Sequence, residues 1–208
     1  MKVAVCLMGL SGGSNDKGDG VQSNSYKSIH KNIIEPHNAD VFFHTWNEDS
    51  ESATHLLDIY SPKLYKIEPQ IIFDVGKKHS IKSRWYSHRE VLNLVDKYES
   101  KYNFEYDYVF ITRFDCDYYT SFDFTKYDPN KLWVSNWKVN AGFIDLWFLS
   151  NSKNMKKYGS IYDILTDEFI GLCDTSNHQI SYEMTKKLNI EWEYTEHYED
   201  INFQIRRG

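Results

Sequence analysis

Three runs in this chain, residues 2–9, 39–46 and 106–114, carry apolar residues side by side (Val3 to Met8, Val41 to Phe43, Tyr108 to Ile111) rather than at alternate positions. A strand with one wet face alternates, whereas a strand buried on both faces does not. A sheet covered on both sides needs helices above and below it. Residues 79–102 supply one, with Ile81, Trp85, Val91, Leu92, Leu94 and Val95 providing much of an apolar stripe. Strands alternating with helices point to βαβ units, so the expected fold class is α/β with a mainly parallel central sheet flanked by helices.

The rest of the chain continues the alternation. The Gly/Ser/Asn/Asp-rich stretch 11–20 reads as loop, and a helix is expected to begin near Asn24. Residues 132–137 and 146–149 read as strands, 152–169 and 177–188 as helical, and 190–207 as extended. At 208 residues without repeat, linker or low-complexity tract, the expectation is a single domain over 1–208. The abrupt end at Arg206-Arg207-Gly208 suggests one domain cut from a longer protein.

The net charge of -6 argues against a nucleic-acid partner, whose phosphates call for a basic face. It leaves room for a small diphosphate, which a cation held on carboxylates can neutralise locally. Cys6, Cys116 and Cys173 are odd in number and widely spaced, so neither a disulfide framework nor a zinc site is indicated; a reducing, cytoplasmic setting is expected. The opening apolar run is too short for a signal peptide or a transmembrane segment. With 16 Tyr, 12 Phe and 6 Trp the chain is rich in aromatics, which fill cores and also pack on the C–H faces of sugars.

Asp115-Cys116-Asp117 follows the strongest strand run, and in extended chain residues i and i+2 point to one side. Two such carboxylates suit a hard cation such as Mg²⁺ or Mn²⁺, which is typically held by one or two carboxylates plus substrate phosphates. A D-x-D triplet alone is equally compatible with solvated loop acids. Its place at the carboxyl end of a strand, where α/β proteins bind ligands, favours the site reading. Arg113 either supports these carboxylates and a ligand or forms a structural ion pair. His44 and Trp46 are expected in the core. His178 is a candidate metal or phosphate ligand, and Arg206 and Arg207 could reach a phosphate, although exposed helix and tail positions explain all three.

The opening Val-Ala-Val-Cys-Leu strand ending at Gly9, the Asp40-Val41-Phe42-Phe43-His44-Thr45-Trp46 run and Tyr108-to-Asp115, in that order, resemble GT-A-type glycosyltransferases. More narrowly, they are similar to enzymes that large algal (chlorella) viruses encode for capsid glycans, and to relatives in bacterial surface-polysaccharide clusters. Gly142-Phe143-Ile144-Asp145-Leu146-Trp147-Phe148, followed by Met155 and Tyr158, is similar to the acceptor-side segment of that family, which makes Asp145 the candidate for catalysis, either as a base that takes a proton from an incoming hydroxyl or as a carboxylate that stabilises an oxocarbenium-like state.

The resemblance implies a Rossmann-like GT-A fold, with residues 1–117 binding the nucleotide-sugar and 118–208 shaping the acceptor side. It implies that Asp115 and Asp117 coordinate Mn²⁺ or Mg²⁺ on the donor diphosphate, with His178 a possible further ligand. Donor contacts are then expected from Gly9, Ser11, Gly12, Arg84, Arg113 and Asp115. Many relatives carry Ser-Gly-Gln after the first strand; this chain has Met8-Gly9-Leu10-Ser11-Gly12-Gly13, a loop that either approaches the nucleotide through its backbone or is simply a turn. The implied donor is UDP-glucose or a UDP-6-deoxyhexose such as rhamnose, and the implied acceptor a growing glycan or glycoprotein.

Two rival functions remain open. A metal-dependent phosphohydrolase also uses D-x-D, but there the motif usually comes early and has Thr or Val two residues after the second Asp, where this chain has Tyr119. A non-enzymatic sugar-binding module would explain the aromatics but give the D-x-D no task. There is no P-loop, EF-hand, G-x-S-x-G or H-E-x-x-H.

Overall fold

The computed structural model describes residues 1–11, 21–47, 50–73, 78–135, 142–174, 176–195 and 203–205. Its elements are β1 (Val3–Leu10), α1 (Val21–Ile29), β2 (Asp40–Trp46), α2 (Ser50–Tyr60), β3 (Leu64–Glu68), α3 (His79–Tyr102), β4 (Tyr108–Arg113) and β5 (Cys116–Tyr118). There follow β6 (Leu132–Val134), β7 (Trp147–Ser150), α4 (Ser152–Gly159), α5 (Ile161–Ile164), α6 (Asp167–Leu172), α7 (Asn177–Lys187), β8 (Trp192–Tyr194) and β9 (Phe203–Ile205).

Seven strands form one sheet in the order β3-β2-β1-β4-β7-β6-β8, and β5 and β9 pair in a second, smaller one. β3, β2, β1 and β4 run parallel; β7 is antiparallel to both β4 and β6, and β8 is parallel to β6. The fold is thus mixed α/β with a mostly parallel central sheet, and that sheet draws strands from both 1–117 and 118–208.

The unbroken apolar runs have the physical cause expected of them. Along β1, Val3, Val5 and Leu7 enter one core while Ala4, Cys6 and Met8 enter the other. β4 divides the same way, with Tyr108 and Phe110 on one side and Val109 and Ile111 on the other. The first core is closed by Ile29, Ile33, Leu56 and Tyr60 from α1, the turn after it and α2, together with Cys116, Tyr118 and Phe203 of the small sheet. The second is closed by α3 to α7, through Trp85, Leu92, Met155, Tyr158, Ile161, Ile170, Ile180 and Met184. Each fully buried side chain of this size contributes about 1.5–3 kcal/mol, so the two layers hold the sheet edge rigid enough to carry a site.

Three elements were not anticipated, α2, the edge strand β3 and the short strand β5. The sequence Leu64-Tyr65-Lys66-Ile67-Glu68 lies at the sheet edge and is only partly buried, so it lacks the apolar signature of the inner strands. The helical stretch expected over 152–169 is three short helices. Gly159 ends the first, where an added Cβ would lie 3.0 Å from Leu92 Cδ1, so α4 packs closely on α3.

Candidate functional site

The order β3-β2-β1-β4 means that the chain leaves β1 for one side of the sheet and returns on β4 to the other. At such a switch point the loops beyond the carboxyl ends diverge and leave a crevice. Met8 is level with Arg113 across this pair, so Gly9-Leu10-Ser11 and Arg113-Phe114-Asp115 leave the sheet side by side. Gly9 has φ +112°, a conformation that side-chain-bearing residues rarely adopt, and its carbonyl accepts the Thr45 hydroxyl at 2.9 Å. Ser11, expected at the donor, is buried: its hydroxyl contacts Thr45 and accepts from Asn47 Nδ2 at 3.3 Å, tying the exit of β1 to that of β2. Gly12, Arg206 and Arg207 lie outside the described residues.

Arg113 and Asp115 form a two-pronged pair, Nε to Oδ1 at 2.7 Å and Nη2 to Oδ2. Burial alone would lower the Arg113 pKa, but hydrogen bonds to Asp115 outweigh it and hold the guanidinium above its ordinary value. Cys116, beneath the pair, is pushed by burial up to about 12 and stays a neutral thiol. Asp117 is on β5 at 1% exposure, with Oδ1 accepting from Ser28 of α1 at 3.3 Å. The same Ser28 oxygen accepts the Tyr118 N–H at 3.1 Å. Asp117 is therefore an interior strand residue and not a solvated loop acid.

Carboxylate oxygens suit a divalent cation, and Asp115, in the turn before β5 and still partly open, is placed to offer them. Among the described residues no three His, Cys, Asp or Glu gather into a group that would hold a metal ion. Asp115, Asp117 and His178 are thus not one ligand set as they stand, and a cation on Asp115 would need substrate phosphate and water to complete its shell.

A second cluster faces the first. Arg84 of α3, its side chain 10% exposed, lies with Nη1 3.9 Å from Asp145 Oδ2. Its Nε and Nη2, the edge that Arg113 uses on Asp115, are buried without a hydrogen-bond partner among the described residues. Burial pulls the Arg84 pKa below its ordinary value; the Asp145 charge works against that and the Arg113 charge adds to it. The other oxygen of Asp145 is 3.4 Å from His178 Nδ1, which also lies 2.8 Å from the Phe143 carbonyl. The two arginines and two acids therefore form one electrostatic array from β4 across to α3, continued to α7 by His178.

Gly142 makes this arrangement possible. Its φ is +92°, and a Cβ there would lie 2.0 Å from the His178 carbonyl oxygen. That carbonyl accepts the Phe143 N–H at 3.1 Å, so the strand of chain bearing Asp145 is docked on the first turn of α7. Neither Gly142 nor Ser28 was singled out for such a role. A Gly before an Asp-bearing segment was the available signal for the first, whereas nothing in the sequence marks the second. His44, expected in the core, is fully buried between Ser87 Oγ and Glu68 Oε1, 3.0 Å from each, and Trp46 stacks on Tyr86.

No family model and no curated protein sequence matches the chain. Solved structures do. A protein assigned as a nucleotide-diphospho-sugar transferase from Desulfovibrio desulfuricans superposes with a TM-score of 0.53 at 11% identity, over 94% of this chain and 80% of its own. A cytidylyltransferase from Leptospira borgpetersenii gives 0.54 at 8% identity, over 94% and 76%. The glycosyltransferase GlyE of Streptococcus pneumoniae gives 0.50 at 14% identity, over 93% of this chain but 45% of its own. The chain has the fold of nucleotide-diphospho-sugar transferases. At these identities the likeness is one of fold, and the three are bacterial proteins; the narrower viral resemblance gains nothing from them. Among the described residues no helix is long and apolar enough to cross a membrane.

Proposed function

We propose that the chain is a glycosyltransferase that moves a hexose or 6-deoxyhexose from a UDP-sugar to a growing glycan, on a capsid protein if the viral resemblance holds. The observation that carries this reading is the alternating array Asp115–Arg113 and Asp145–Arg84 at the β1/β4 switch point of a nucleotide-sugar transferase fold. Diphosphate is the group such an array suits: two guanidiniums within a protein edge offer fixed, planar forks to phosphate oxygens. Arg84 supports the reading most directly, because its bidentate edge is buried and unpartnered.

Asp115, with Asp117 as a further candidate, would hold Mn²⁺ or Mg²⁺ against the diphosphate, and that cation would offset charge on the departing nucleotide. Arg113 would exchange part of its pairing with Asp115 for phosphate, and Asp145 would present a carboxylate on the acceptor side. The test is release of UDP from UDP-glucose and UDP-rhamnose, with and without Mn²⁺. Activity that requires the cation supports the proposal. GDP or CMP binding more tightly than UDP in calorimetry refutes the donor base. Because a cytidylyltransferase shares the fold, the same assay is run with CTP or UTP and a sugar phosphate, where pyrophosphate release would replace this reading with nucleotidyl transfer. Binding of glycan without any turnover would favour a sugar-binding module, and phosphate release from a phosphomonoester the hydrolase.

A further inference from the structure

His178 sits at the second position of α7 with Nδ1 2.8 Å from the Phe143 carbonyl oxygen and 3.4 Å from Asp145 Oδ1. A carbonyl oxygen only accepts, so Nδ1 is the nitrogen that carries the proton. In the neutral ring this leaves the lone pair on Nε2, which among the described residues has no hydrogen-bond partner on a side chain that is 37% exposed. The carboxylate beside Nδ1–H faces Arg84 on its other side, with Oδ2 3.9 Å from Nη1. A proton-accepting nitrogen, held in one tautomer by a carbonyl and faced by an anchored carboxylate, is the arrangement of an oriented general base.

We propose, resting on the glycosyltransferase reading above, that His178 Nε2 takes the proton of the acceptor hydroxyl and that Asp145 is its positioning residue. The acceptor oxygen forms a bond to the anomeric carbon of the donor sugar while the bond from that carbon to the diphosphate oxygen breaks. The electron pair of the broken bond leaves with the nucleoside diphosphate. The hydroxyl proton moves to Nε2, and the charge of the Asp145 carboxylate, 3.4 Å from Nδ1, stabilises the imidazolium while Nδ1–H stays on the Phe143 carbonyl, before the proton passes to solvent. A dedicated base serves direct displacement, so the product anomer is inverted relative to the donor.

Gly142 gives the arrangement its precision. Only a residue without Cβ lets the 142–146 segment lie against the His178 backbone, so ring and carboxylate are set by the same close contact. Asp145 alone is a poorer base candidate: both of its oxygens already face a partner, one Arg84 and the other His178.

The test has three parts. Two-bond ¹H–¹⁵N correlation spectra of the parent should show His178 in the Nδ1–H tautomer, against the Nε2–H form that free imidazole side chains favour. His178→Ala should bind UDP and Mn²⁺ within about threefold of the parent while turnover falls on the order of 10²–10⁴-fold, with partial recovery on adding imidazole. Asp145→Asn should keep nucleotide affinity and lose turnover without imidazole rescue. The Nε2–H tautomer, turnover retained in His178→Ala, loss of Mn²⁺ affinity in that variant, or a retained anomer would each overturn the assignment while nucleotide binding stands. A parent that binds no nucleoside diphosphate would overturn the proposed function, and this inference with it.

Discussion

Replacing Gly142 with Ala should damage the site and the fold together, by an amount that follows from the local geometry. The new Cβ would lie 2.0 Å from the His178 carbonyl oxygen, 2.3 Å from its carbon and 2.7 Å from the Gln179 nitrogen. Ordinary contact is roughly 3.5 Å. All three obstacles are backbone atoms within the first turn of α7, so no side chain can swing aside. The φ of +92° adds about 1–2 kcal/mol for a residue bearing Cβ. Forcing the segments apart also forfeits the 3.1 Å Phe143 N–H to His178 O bond, worth about 0.5–1.5 kcal/mol. The loss is therefore about 2–4 kcal/mol, which for a chain of this length lowers Tm by roughly 5–15 °C.

Gly171→Ala is the matched control. That glycine lies in α6 with nothing within 4 Å of an added Cβ, so Ala should be neutral or up to about 1 kcal/mol stabilising. Thermal melts of both variants check the stability, and UDP-sugar turnover beside UDP affinity checks the site. Gly142→Ala should lose turnover well beyond its loss of UDP affinity, because Asp145 and His178 move while β1 and β4 do not. A Gly142→Ala protein that melts within about 2 °C of the parent would refute the close approach and the reasoning built on it.

Asp117→Ala should cost about 1–3 kcal/mol, measured by denaturant unfolding, because it removes a buried, hydrogen-bonded carboxylate; Asp115→Asn takes away the charge that offsets the burial of Arg113, so it should cost a similar amount, and it should lower turnover on the order of 10²-fold with loss of Mn²⁺ dependence. Arg84→Met should be as stable as the parent or more so, since it removes a buried guanidinium with two unsatisfied nitrogens, while donor affinity in calorimetry falls at least tenfold. His88 is fully buried with both ring nitrogens unpartnered among the described residues, and burial holds its pKa well below the ordinary value, with the Arg84 charge adding to the effect. As pH falls below about 6.5 the unfolded chain takes up a proton that the folded chain refuses, so stability drops by at most about 1.4 kcal/mol per pH unit. His44 is also lowered by burial and adds in the same direction, so His88→Leu should reduce, without abolishing, the slope of unfolding free energy between pH 6.5 and 5.

The central sheet was legible because its inner strands must be apolar on both faces, and little else places Val3 to Met8 or Tyr108 to Ile111. The helix 79–102 was legible for a related reason, yet four of its buried positions, Ser83, Ser87, His88 and Glu99, are polar. Buried residues along α3 include Ile81, Trp85, His88, Leu92, Val95 and Glu99, spaced by fours and threes. Glu99 was unreadable as core because its burial depends on partners distant in sequence: it accepts from the Tyr106 N–H at 2.7 Å and Ser152 Oγ at 2.8 Å, and pairs with Lys156 at 2.8 Å. Periodicity predicts which side of a helix is covered, and chemistry then decides what a covered carboxylate needs.

The D-x-D shows where such reasoning stops. Two acids two residues apart share a side only if the chain is extended through both, and here Asp115 lies in the turn that ends β4 while Asp117 is the middle residue of β5, in a different sheet with β9 as its neighbour. Asp115 thereby stays with Arg113 at the crevice, and Asp117 joins the interior against α1. By contrast Arg84, Asp145 and His178 are far apart in sequence and carry no shared motif, yet they are within ion-pair reach because α3, the 142–146 segment and α7 close over one core. The acids that a motif joins are thus divided by the fold, and the three residues that no motif joins are brought together by it. For the chemistry this moves weight from the second Asp of the triplet to Asp145, whose surroundings depend on Gly142 and would not survive a side chain there.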